Sequence, residues 1–468
     1  MSLRGFLDVC NAETIAGWSW NPDDAGEAVY VELFDGDVFL AAIRADTFRK
    51  DLLDAGIGDG RHAFEFCIPR SRLDGMTHRV SARARSCPAD GFFELTGSPQ
   101  PAVWRAAPAN NSAPVRILGP FPSRYPWQIE YAGLESGEIV VRGWLLAREP
   151  RESIAVYLNR APFDHFEYSP RNENHLFHNR QDASFLGFTA RRAIGHEELL
   201  ENGAALVEYV DAASGDALYD GQNFYLPRDL FGTPAVPGTD AIRRIAGRER
   251  ADLFLLEGYT AYRKLENILH ETAGRTFADA ANVLDWGCGC GRLMRYLARP
   301  SEVLAGAAQW TGADIDAESI AWCRSHLTGD FVVLPLLPPS PLPDHHFDLI
   351  LGVSVLTHLN EETQRLWLEE LQRVSRPGAI LLLSYHGEAS VERSAFSTEW
   401  VDAWLSRGFD AGIVDHALDQ VISEKSYYRA AFHTTGYIHQ NWSKYFEILA
   451  IKDSVISNHQ NLAILKRR

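Results

Sequence analysis

Short apolar runs and amphipathic stretches alternate along the second half of the chain. Runs of this length that alternate with helical periodicity predict a mostly parallel sheet with helices on its faces. Seven apolar runs predict strands, at residues 283–286, 310–315, 331–334, 347–354, 379–384, 446–451 and 461–465. The last two are close in sequence, so the predicted fold is an α/β domain whose seven-stranded sheet ends in an antiparallel pair.

The first of these strands ends in an acid, Asp285, and a glycine-dense turn follows it. Gly287, Gly289 and Gly291 allow positive φ angles and let a ligand approach the backbone closely. The helix that begins at the turn offers free N–H groups to an anionic group. Asp314 lies 23 residues beyond Gly291, near the distance at which nucleotide-binding folds place a carboxylate for the ribose. The pattern therefore predicts the nucleotide-binding corner of a doubly wound sheet.

Residues 250–468 resemble class I S-adenosylmethionine-dependent methyltransferases in the order and spacing of these motifs. Within that class, residues 288–292, 354–359 and 384–387 resemble bacterial enzymes that accompany glycan-building machinery. The resemblance implies a Rossmann-like methyltransferase domain at residues 240–468, with S-adenosyl-L-methionine as its cofactor.

The resemblance also implies which residues hold the cofactor. Asp285 is expected to engage the ammonium of the methionine part, and the glycine turn brings its backbone close to the ligand. Asp314 is expected to accept from both ribose hydroxyls, because one carboxylate can accept from a diol through both oxygens. Asp316 is the rival for that role, but its position favours the N-cap of a helix over residues 317–326.

Many such enzymes carry an acid after the third strand that binds the adenine amino group, and this chain does not. Residues 334–339 occupy that stretch, so apolar contact and backbone groups near Leu336 are expected to hold the adenine. The predicted cofactor-binding residues are Asp285, Trp286, Gly287, Cys288, Gly289, Asp314, Ile315, Leu336, Val353 and Ser354.

Ligands of such folds bind outside the carboxyl ends of the strands. Of the 16 histidines in the chain, this rule selects His358, His386 and His433. A neutral histidine suits removal of a proton from a hydroxyl acceptor, so these three are the predicted catalytic residues. The alternative for each is a structural role in its loop. An insertion at residues 388–430 on the same face predicts a lid over the acceptor.

The N-terminal residues 1–100 carry short alternating runs separated by turn signals, which predict a small β-sandwich. A stretch rich in Pro, Ala and Asn at residues 99–114 predicts a linker. Residues 115–230 then repeat the pattern, so the second module is predicted to be another copy of the first. Both resemble modules that accompany bacterial glycosyltransferases and sulfotransferases.

Matching aromatic residues mark the repeat. Trp144 stands where Trp18 stands in the first copy, and Phe188 matches Phe64. Tryptophan faces stack on sugar rings, but recurrence at equivalent positions favours a buried core role for Trp18 and Trp144. Trp20 has no counterpart in the second copy and is the better candidate for a sugar contact.

The charge balance narrows the partners. The 62 acidic residues against 45 basic ones give a formal charge of −17, which repels nucleic acid. No apolar stretch is long enough to span a membrane, and the N-terminus lacks the apolar core of a signal peptide. Six cysteines without a regular framework favour a reducing compartment. The predicted location is therefore the cytoplasm.

Cys288 and Cys290 are the nearest approach to a metal motif. A C-x-C pair without a second Cys or His pair at zinc spacing is weak evidence, so no resident metal is predicted. A metal-assisted mechanism stays open, because separate Asp and His residues can come together in the fold.

The predicted function is methylation of an oxygen of a sugar or surface glycan, with a glycan acceptor and glycan-biosynthesis enzymes as partners. The alternative is methylation of a small lipid or natural product, with the β modules as a scaffold. A third hypothesis is a non-catalytic carbohydrate-binding or assembly protein with a vestigial methyltransferase fold. The presence of Asp285, Gly287, Gly289 and Asp314 argues against the third.

Overall fold

The structure is a computed structural model. It describes residues 3–11, 14–24, 29–36, 38–67, 76–85, 92–104, 127–147, 154–170, 184–193, 204–211, 223–232, 234–247, 249–297, 309–394, 396–422 and 424–468. The chain divides into two units. The first comprises Met1–Pro120, Trp144–Glu149 and Tyr168–Phe188, and the second comprises Phe121–Gly143, Pro150–Glu167 and Thr189–Arg468.

The N-terminal strands of the first unit form two antiparallel sheets. Their bounds are β1 (Arg4–Cys10), β2 (Thr14–Trp20), β3 (Tyr30–Asp35), β4 (Val38–Arg44), β5 (Thr47–Phe48), β6 (Arg61–Cys67), β7 (Thr77–Arg85), β8 (Phe93–Glu94) and β9 (Gln100–Val103). A short helix, α1 (Lys50–Asp54), lies between β5 and β6. The sheet orders are β1-β2-β6-β5 and β4-β3-β7-β8, and β9 pairs with β7.

Alternating burial along the strands explains how these sheets pack. On β2, Ile15 and Ser19 are buried, while the residues between them on the other face are half-buried. Buried side chains from both sheets, among them Ile15, Phe64 and Val31, belong to one hydrophobic cluster. A strand with one face toward a core requires this period of two. The two sheets therefore share a core.

The tryptophans require a correction to the sequence analysis. Trp144 is 1% exposed and has the expected core position. Trp18 is only half-buried, because it lies on the face of β2 opposite to the buried Ile15. Trp20 is also half-buried, and its ring centroid lies 5.8 Å from that of His62.

Residues 127–227 contain further strands in two more sheets. Their bounds are β10 (Trp127–Glu135), β11 (Glu138–Ala147), β12 (Ile154–Leu158), β13 (Ala161–Pro162), β14 (His165–Pro170), β15 (Ser184–Ala193), β16 (Ala204–Asp211) and β17 (Phe224–Pro227). The orders are β10-β11-β15-β14 and β13-β12-β16-β17. Taken in chain order, these strands repeat the arrangement of β1 to β8. Trp18 and Trp144 lie on the equivalent strands β2 and β11.

The second unit also contains a seven-stranded sheet with the order β20-β19-β18-β21-β22-β26-β25. Its strands are β18 (Asn282–Trp286), β19 (Gln309–Asp314), β20 (Asp330–Val333), β21 (Phe347–Gly352), β22 (Ser375–Tyr385), β25 (Phe446–Ile456) and β26 (Gln460–Arg467). The pairs among β18 to β22 are parallel, and β26 runs antiparallel to β22 and β25. The predicted sheet with its final antiparallel pair is confirmed.

Helices flank this sheet, and its interior strand β18 is buried along its whole length. Their bounds are α2 (Thr239–Ala246), α3 (Ala251–Ala273), α4 (Met294–Leu297), α5 (Ala317–His326), α6 (Glu361–Val374), α7 (Glu388–Glu392), α8 (Thr398–Arg407) and α9 (Thr435–Asn441). The Asp316 carboxylate accepts from the backbone N–H groups of Glu318 and Ser319 and so caps α5, as predicted. None of the described helices is both long enough and apolar enough to cross a membrane.

The insertion after β22 contains a β-hairpin that the sequence analysis did not predict. Its strands, β23 (Phe409–Val414) and β24 (Arg429–His433), pair in antiparallel fashion. The backbone N–H of Ala431 donates to the carbonyl of Thr357 at 2.8 Å, and that of Arg429 donates to the carbonyl of His358 at 3.0 Å. These bonds fix the hairpin against the loop that follows β21.

Candidate active site

A cavity of about 390 Å³ lies at the carboxyl ends of β18, β19 and β21. One end is lined by the last residues of these strands and those that directly follow them, in segments 285–289, 314–316 and 353–355. Residues from segments 243–247, 292–293, 358–359 and 415–428, together with Leu334 and Trp367, line the rest of the wall. Parallel strands bring their carboxyl ends to one edge of the sheet, so their loops meet there.

The glycine turn after β18 has the backbone that the sequence pattern requires. Gly287 has a φ of 77° and Gly289 a φ of 52°, both in the left-handed region that favours glycine. A Cβ on Gly287 would lie 2.2 Å from Cγ2 of Val355, and one on Gly289 would lie 2.3 Å from Cδ1 of Ile245. The turn therefore needs glycine for both its conformation and its close packing.

Asp285 is the second-last residue of β18 and is 2% exposed. Its Oδ2 atom is buried and has no hydrogen-bond partner among the described residues. Burial raises the pKa of Asp285 to about 7; the nearby Asp314 carboxylate adds to this shift and the Arg292 guanidinium opposes it. A buried carboxylate oxygen without a donor is costly, and a cationic ligand would relieve that cost.

Asp314 ends β19 and is held by the backbone on both oxygens. Its Oδ2 accepts from the N–H of Gly289 at 2.7 Å, and its Oδ1 accepts from the N–H of Asp316 at 2.8 Å. Burial raises the pKa of Asp314 to about 6, and these backbone hydrogen bonds oppose the shift. Asp316 Oδ2 accepts from the Ser319 hydroxyl at 2.7 Å and from Arg244 at 3.2 Å. Asp316 is thus occupied by structural contacts, whereas each Asp314 oxygen has one backbone donor.

The structure brings together most of the predicted cofactor-binding residues. Those that line the cavity are Asp285, Trp286, Gly287, Cys288, Gly289, Asp314, Ile315, Val353 and Ser354. Leu336 is not among the lining residues, and Leu334 lines the cavity in its place. The Leu336 carbonyl accepts from the Trp367 indole at 3.2 Å and from the Tyr427 hydroxyl at 2.7 Å. Its contribution is therefore to hold two other lining residues.

His358 is the predicted catalytic histidine that lines the cavity. Its Nδ1 lies 3.1 Å from the carbonyl oxygen of Arg429 and 3.7 Å from Oδ2 of Asp415. Its ring stacks on Tyr428 with 4.0 Å between centroids. Burial lowers the pKa of His358 to about 4, although the Asp415 carboxylate opposes the shift. The imidazole is therefore neutral at physiological pH, which is the form that accepts a proton.

His386 lies beside His358, and the His433 backbone N–H donates to the His386 carbonyl at 2.8 Å, but neither residue is on the cavity wall. The His386 ring centroid is 6.3 Å from that of His358. His433 is fully buried, and its Nε2 lies 2.8 Å from Oε1 of Gln364. The strand-end rule places these histidines in the right region, but neither lines the cavity. His386 is half-buried and stacks on Phe432 with 5.1 Å between ring centroids, whereas His433 is packed in the interior. The catalytic role of His386 and His433 stays a prediction.

Residues 283–378 match a family model described as "Methyltransferase domain". This part of the chain is a methyltransferase domain. The match confirms the predicted S-adenosylmethionine-dependent methyltransferase class for the domain and the cofactor that belongs to it.

Two curated methyltransferases share part of their sequence with the chain. A fatty-acid O-methyltransferase of Mycolicibacterium smegmatis is 33% identical over 117 residues, 25% of this chain and 40% of that protein. A probable phthiotriol/phenolphthiotriol dimycocerosates methyltransferase 2 of Mycobacterium ulcerans is 31% identical over 144 residues, 30% of this chain and 52% of that protein. The chain thus spans about half the length of these relatives or less, so activity and acceptor of the whole protein are proposals. Neither name supports the predicted glycan-associated type.

Solved structures also resemble parts of the chain. The magnesium protoporphyrin IX methyltransferase of Synechocystis is 18% identical, with a TM-score of 0.33, and the match covers 49% of this chain and 94% of that chain. A protein of Pyrococcus horikoshii is 17% identical, with a TM-score of 0.30, and the match covers 44% of this chain and 91% of that chain.

Two walls of the methyltransferase cavity were missed by the sequence analysis. Arg244 and Ile245 come from α2, which precedes the recognised motifs. Asp415 and Tyr428 come from the hairpin region of the insertion. The insertion was expected to cover the acceptor, but no periodicity marked which of its residues reach the cavity. Trp367, on α6, lines the cavity as well and carried no motif signal.

Proposed function

We propose that this protein transfers a methyl group from S-adenosylmethionine to an oxygen of an acceptor with an apolar part, of the lipid or natural-product class. The observation that carries the proposal is Asp285, whose buried Oδ2 lacks a donor among the described residues and which lines the cavity. The ammonium of the cofactor's methionine part is a cation of the required kind.

The other lining residues fit the remaining parts of the cofactor. Each Asp314 oxygen accepts one backbone hydrogen bond and keeps capacity for a ribose hydroxyl. Ile315, Leu334 and Trp367 offer an apolar and aromatic wall for the adenine. When bound, the cofactor supplies a methyl group that its sulfonium has already activated.

The protein's own task is then to hold the acceptor, exclude water and accept a proton. His358 is the lining residue suited to the last of these. Its Nδ1 donates to the Arg429 carbonyl, so the neutral ring keeps a lone pair on Nε2. A base of this kind assists an acceptor that loses a proton during transfer.

The acceptor class is inferred from the wall near His358. Tyr428 stacks on the His358 ring with 4.0 Å between centroids, and the Val355 carbonyl accepts from the His358 backbone N–H at 2.9 Å. Both residues line the cavity, so this part of its wall is aromatic and apolar. Such a wall buries an alkyl or ring surface rather than a strongly hydrated one. The two curated relatives carry the names of a fatty-acid methyltransferase and a phthiotriol dimycocerosates methyltransferase, which supports the same class.

A glycan acceptor, the function first predicted, is the second candidate. The strand order of β1 to β8 recurs in β10 to β17, which supports the predicted pair of β-sandwich modules. Repeated β modules resemble those that accompany glycan-acting enzymes. Trp20 has a buried indole N–H without an acceptor among the described residues, beside a half-buried ring. In this second proposal the modules bind the glycan and the methyltransferase domain modifies it.

Calorimetric titration of the full chain with S-adenosylmethionine and with S-adenosylhomocysteine tests the cofactor proposal. We expect dissociation constants in the micromolar range, as for typical enzyme ligands. The purified protein is then incubated with methyl-labelled cofactor and a panel of hydroxylated lipids, fatty acids and oligosaccharides. Label in a lipid supports the first candidate and label in an oligosaccharide the second. Absence of cofactor binding contradicts both.

A further inference from the structure

The positive charges around the cavity are already opposed by carboxylates. Three arginines line it in the described part of the chain. The pairs are Arg243 with Asp240 at 2.7 Å, Arg244 with Asp316 at 3.2 Å and Arg292 with Glu257 at 3.5 Å. An acceptor carboxylate needs an uncompensated cation or a set of donors to offset its loss of water. The described lining offers no such cation.

Negative charge, in contrast, lies close to the proposed base. Asp415 lines the cavity, and its Oδ2 is 3.7 Å from Nδ1 of His358. Its side chain is 33% exposed, so the carboxylate is partly desolvated but not enclosed. An anionic acceptor group beside His358 would meet Asp415 as a like charge, which disfavours it relative to a neutral group.

The backbone fixes the tautomer of His358. The N–H of Arg429 donates to the His358 carbonyl at 3.0 Å, and the Arg429 carbonyl lies 3.1 Å from His358 Nδ1. The Ala431 N–H to Thr357 carbonyl bond at 2.8 Å holds the same strand in register. A carbonyl only accepts, so Nδ1 carries the hydrogen and Nε2 carries the lone pair. The hairpin thus presets His358 as a proton acceptor.

We propose that the acceptor group is a neutral hydroxyl whose proton His358 accepts at Nε2, and that Asp415 is a positioning residue for the protonated ring. The proposal rests on the proposed methyl transfer to oxygen. The hydroxyl oxygen forms the bond to the methyl carbon while the carbon–sulfur bond breaks and leaves its electron pair on sulfur. The proton passes to His358 and then to solvent. A carboxylic acid is already ionised at neutral pH and needs no such base.

Ligand binding separates this proposal from the proposed function. The full chain is saturated with S-adenosylhomocysteine and titrated with decanol, octyl glucoside and decanoate. We expect one of the two hydroxyl probes to bind at least about ten-fold more tightly than decanoate, because Asp415 repels a carboxylate beside His358. Equal or tighter binding of decanoate contradicts the hydroxyl proposal, and so does failure of both hydroxyl probes to bind. Failure of S-adenosylhomocysteine itself to bind contradicts the proposed function instead.

Asp415 is tested by substitution in the full chain. Asp415→Asn keeps the shape and removes the charge, so kcat with a hydroxyl acceptor is expected to fall about ten-fold at nearly unchanged KM. Asp415→Glu is expected to recover part of the loss. The matched control is Asp419→Asn, a nearby carboxylate whose partner is His416 at 3.0 Å. A rise in KM alone, or an equal loss in the control, contradicts the positioning role.

Discussion

The two ends of the cavity are built in different ways. The cofactor end consists of the last residues of β18 and β19 and of those that directly follow β18, β19 and β21, and the backbone holds its key carboxylate through Gly289 and Asp316. At the acceptor end, His358 is the residue from the sheet edge, and its partners Asp415 and Tyr428 come from the inserted hairpin region. The ends of the strands thus form the cofactor end, whereas the acceptor end depends on the insertion after β22.

Burial favours the neutral form of an ionisable side chain at both ends of the cavity. It raises the pKa of Asp285 to about 7 at the cofactor end and lowers the pKa of His358 to about 4 at the acceptor end. In both cases the neutral form gains. In the proposed function, a cationic ligand restores the charge at the cofactor end, whereas at the acceptor end the neutral form is the one that accepts the proton. Substitutions can therefore affect binding and transfer separately.

The largest effect is expected from His358→Ala at the acceptor end. Removal of a general base typically costs 10² to 10⁴ in turnover, so we expect roughly that loss of kcat with a hydroxyl acceptor. The dissociation constant for S-adenosylmethionine should change less than about two-fold, because the cofactor-end carboxylates remain. Turnover and calorimetric affinity are measured on the same preparation. A parallel loss of cofactor affinity would show that the two ends are not independent.

The same comparison explains what the sequence could predict. A strand, a glycine turn and an acid at the next strand end are local patterns with a fixed place in the topology, so nine of the ten predicted cofactor residues line the cavity. Leu336 does not line the cavity, because the turn after β20 directs Leu334 to it instead. Its own carbonyl supports the Trp367 and Tyr427 side chains instead.

At the acceptor end the sequence predicted where the histidines lie but not in which direction their side chains point. The strand-end rule placed His358 and His386 side by side, with 6.3 Å between their ring centroids. Whether a ring points to the cavity or to the interior depends on tertiary packing, as the hydrogen bond from His433 on β24 to Gln364 on α6 illustrates. Asp415 lies in a connection without periodicity, so no local pattern indicated that it would face His358.

Asp285→Asn is expected to give the second largest effect, at the cofactor end. The amide keeps the shape but loses the charge, so the bond to the cofactor ammonium weakens by about 2 kcal/mol, or roughly thirty-fold in affinity. Calorimetry with S-adenosylhomocysteine measures the loss without any transfer. Asp415→Asn serves as the control, because it removes a carboxylate from the other end of the same cavity. Equal losses in both variants, or none in Asp285→Asn, would contradict the assignment.

The glycine turn allows an effect on stability, rather than on binding or turnover, to be measured. Gly287→Ala forces a Cβ to within 2.2 Å of Val355 Cγ2 at a φ of 77°. We expect about 2–4 kcal/mol lower free energy of unfolding, from the left-handed backbone and from displaced packing together. Gly378→Ala is the matched control, with a φ of 80° but nothing within 4 Å of the added Cβ. It should cost only about 1–2 kcal/mol. Equal losses in denaturant titrations would argue against close packing of the turn on Val355.

The smallest effect expected is a pH dependence confined to the cofactor end. Because the pKa of Asp285 is raised to about 7, its charged form prevails above that pH and is lost below it. Cofactor affinity should therefore fall about ten-fold between roughly pH 7.5 and pH 6, a window in which the ligand ammonium stays protonated. His358, with a pKa of about 4, remains neutral throughout. At saturating cofactor, kcat should then stay level.

Asp285→Asn makes this last test decisive, because it removes the titrating group and keeps the rest of the cavity. Its cofactor affinity should be low and nearly constant between about pH 7.5 and pH 6, whereas that of the unmodified protein falls. If the variant kept the full pH dependence, the titration would belong to another group, with Asp314 and its pKa of about 6 as the next in line. If kcat fell instead of affinity, the titrating group would lie at the acceptor end, and the division between the two ends would be wrong.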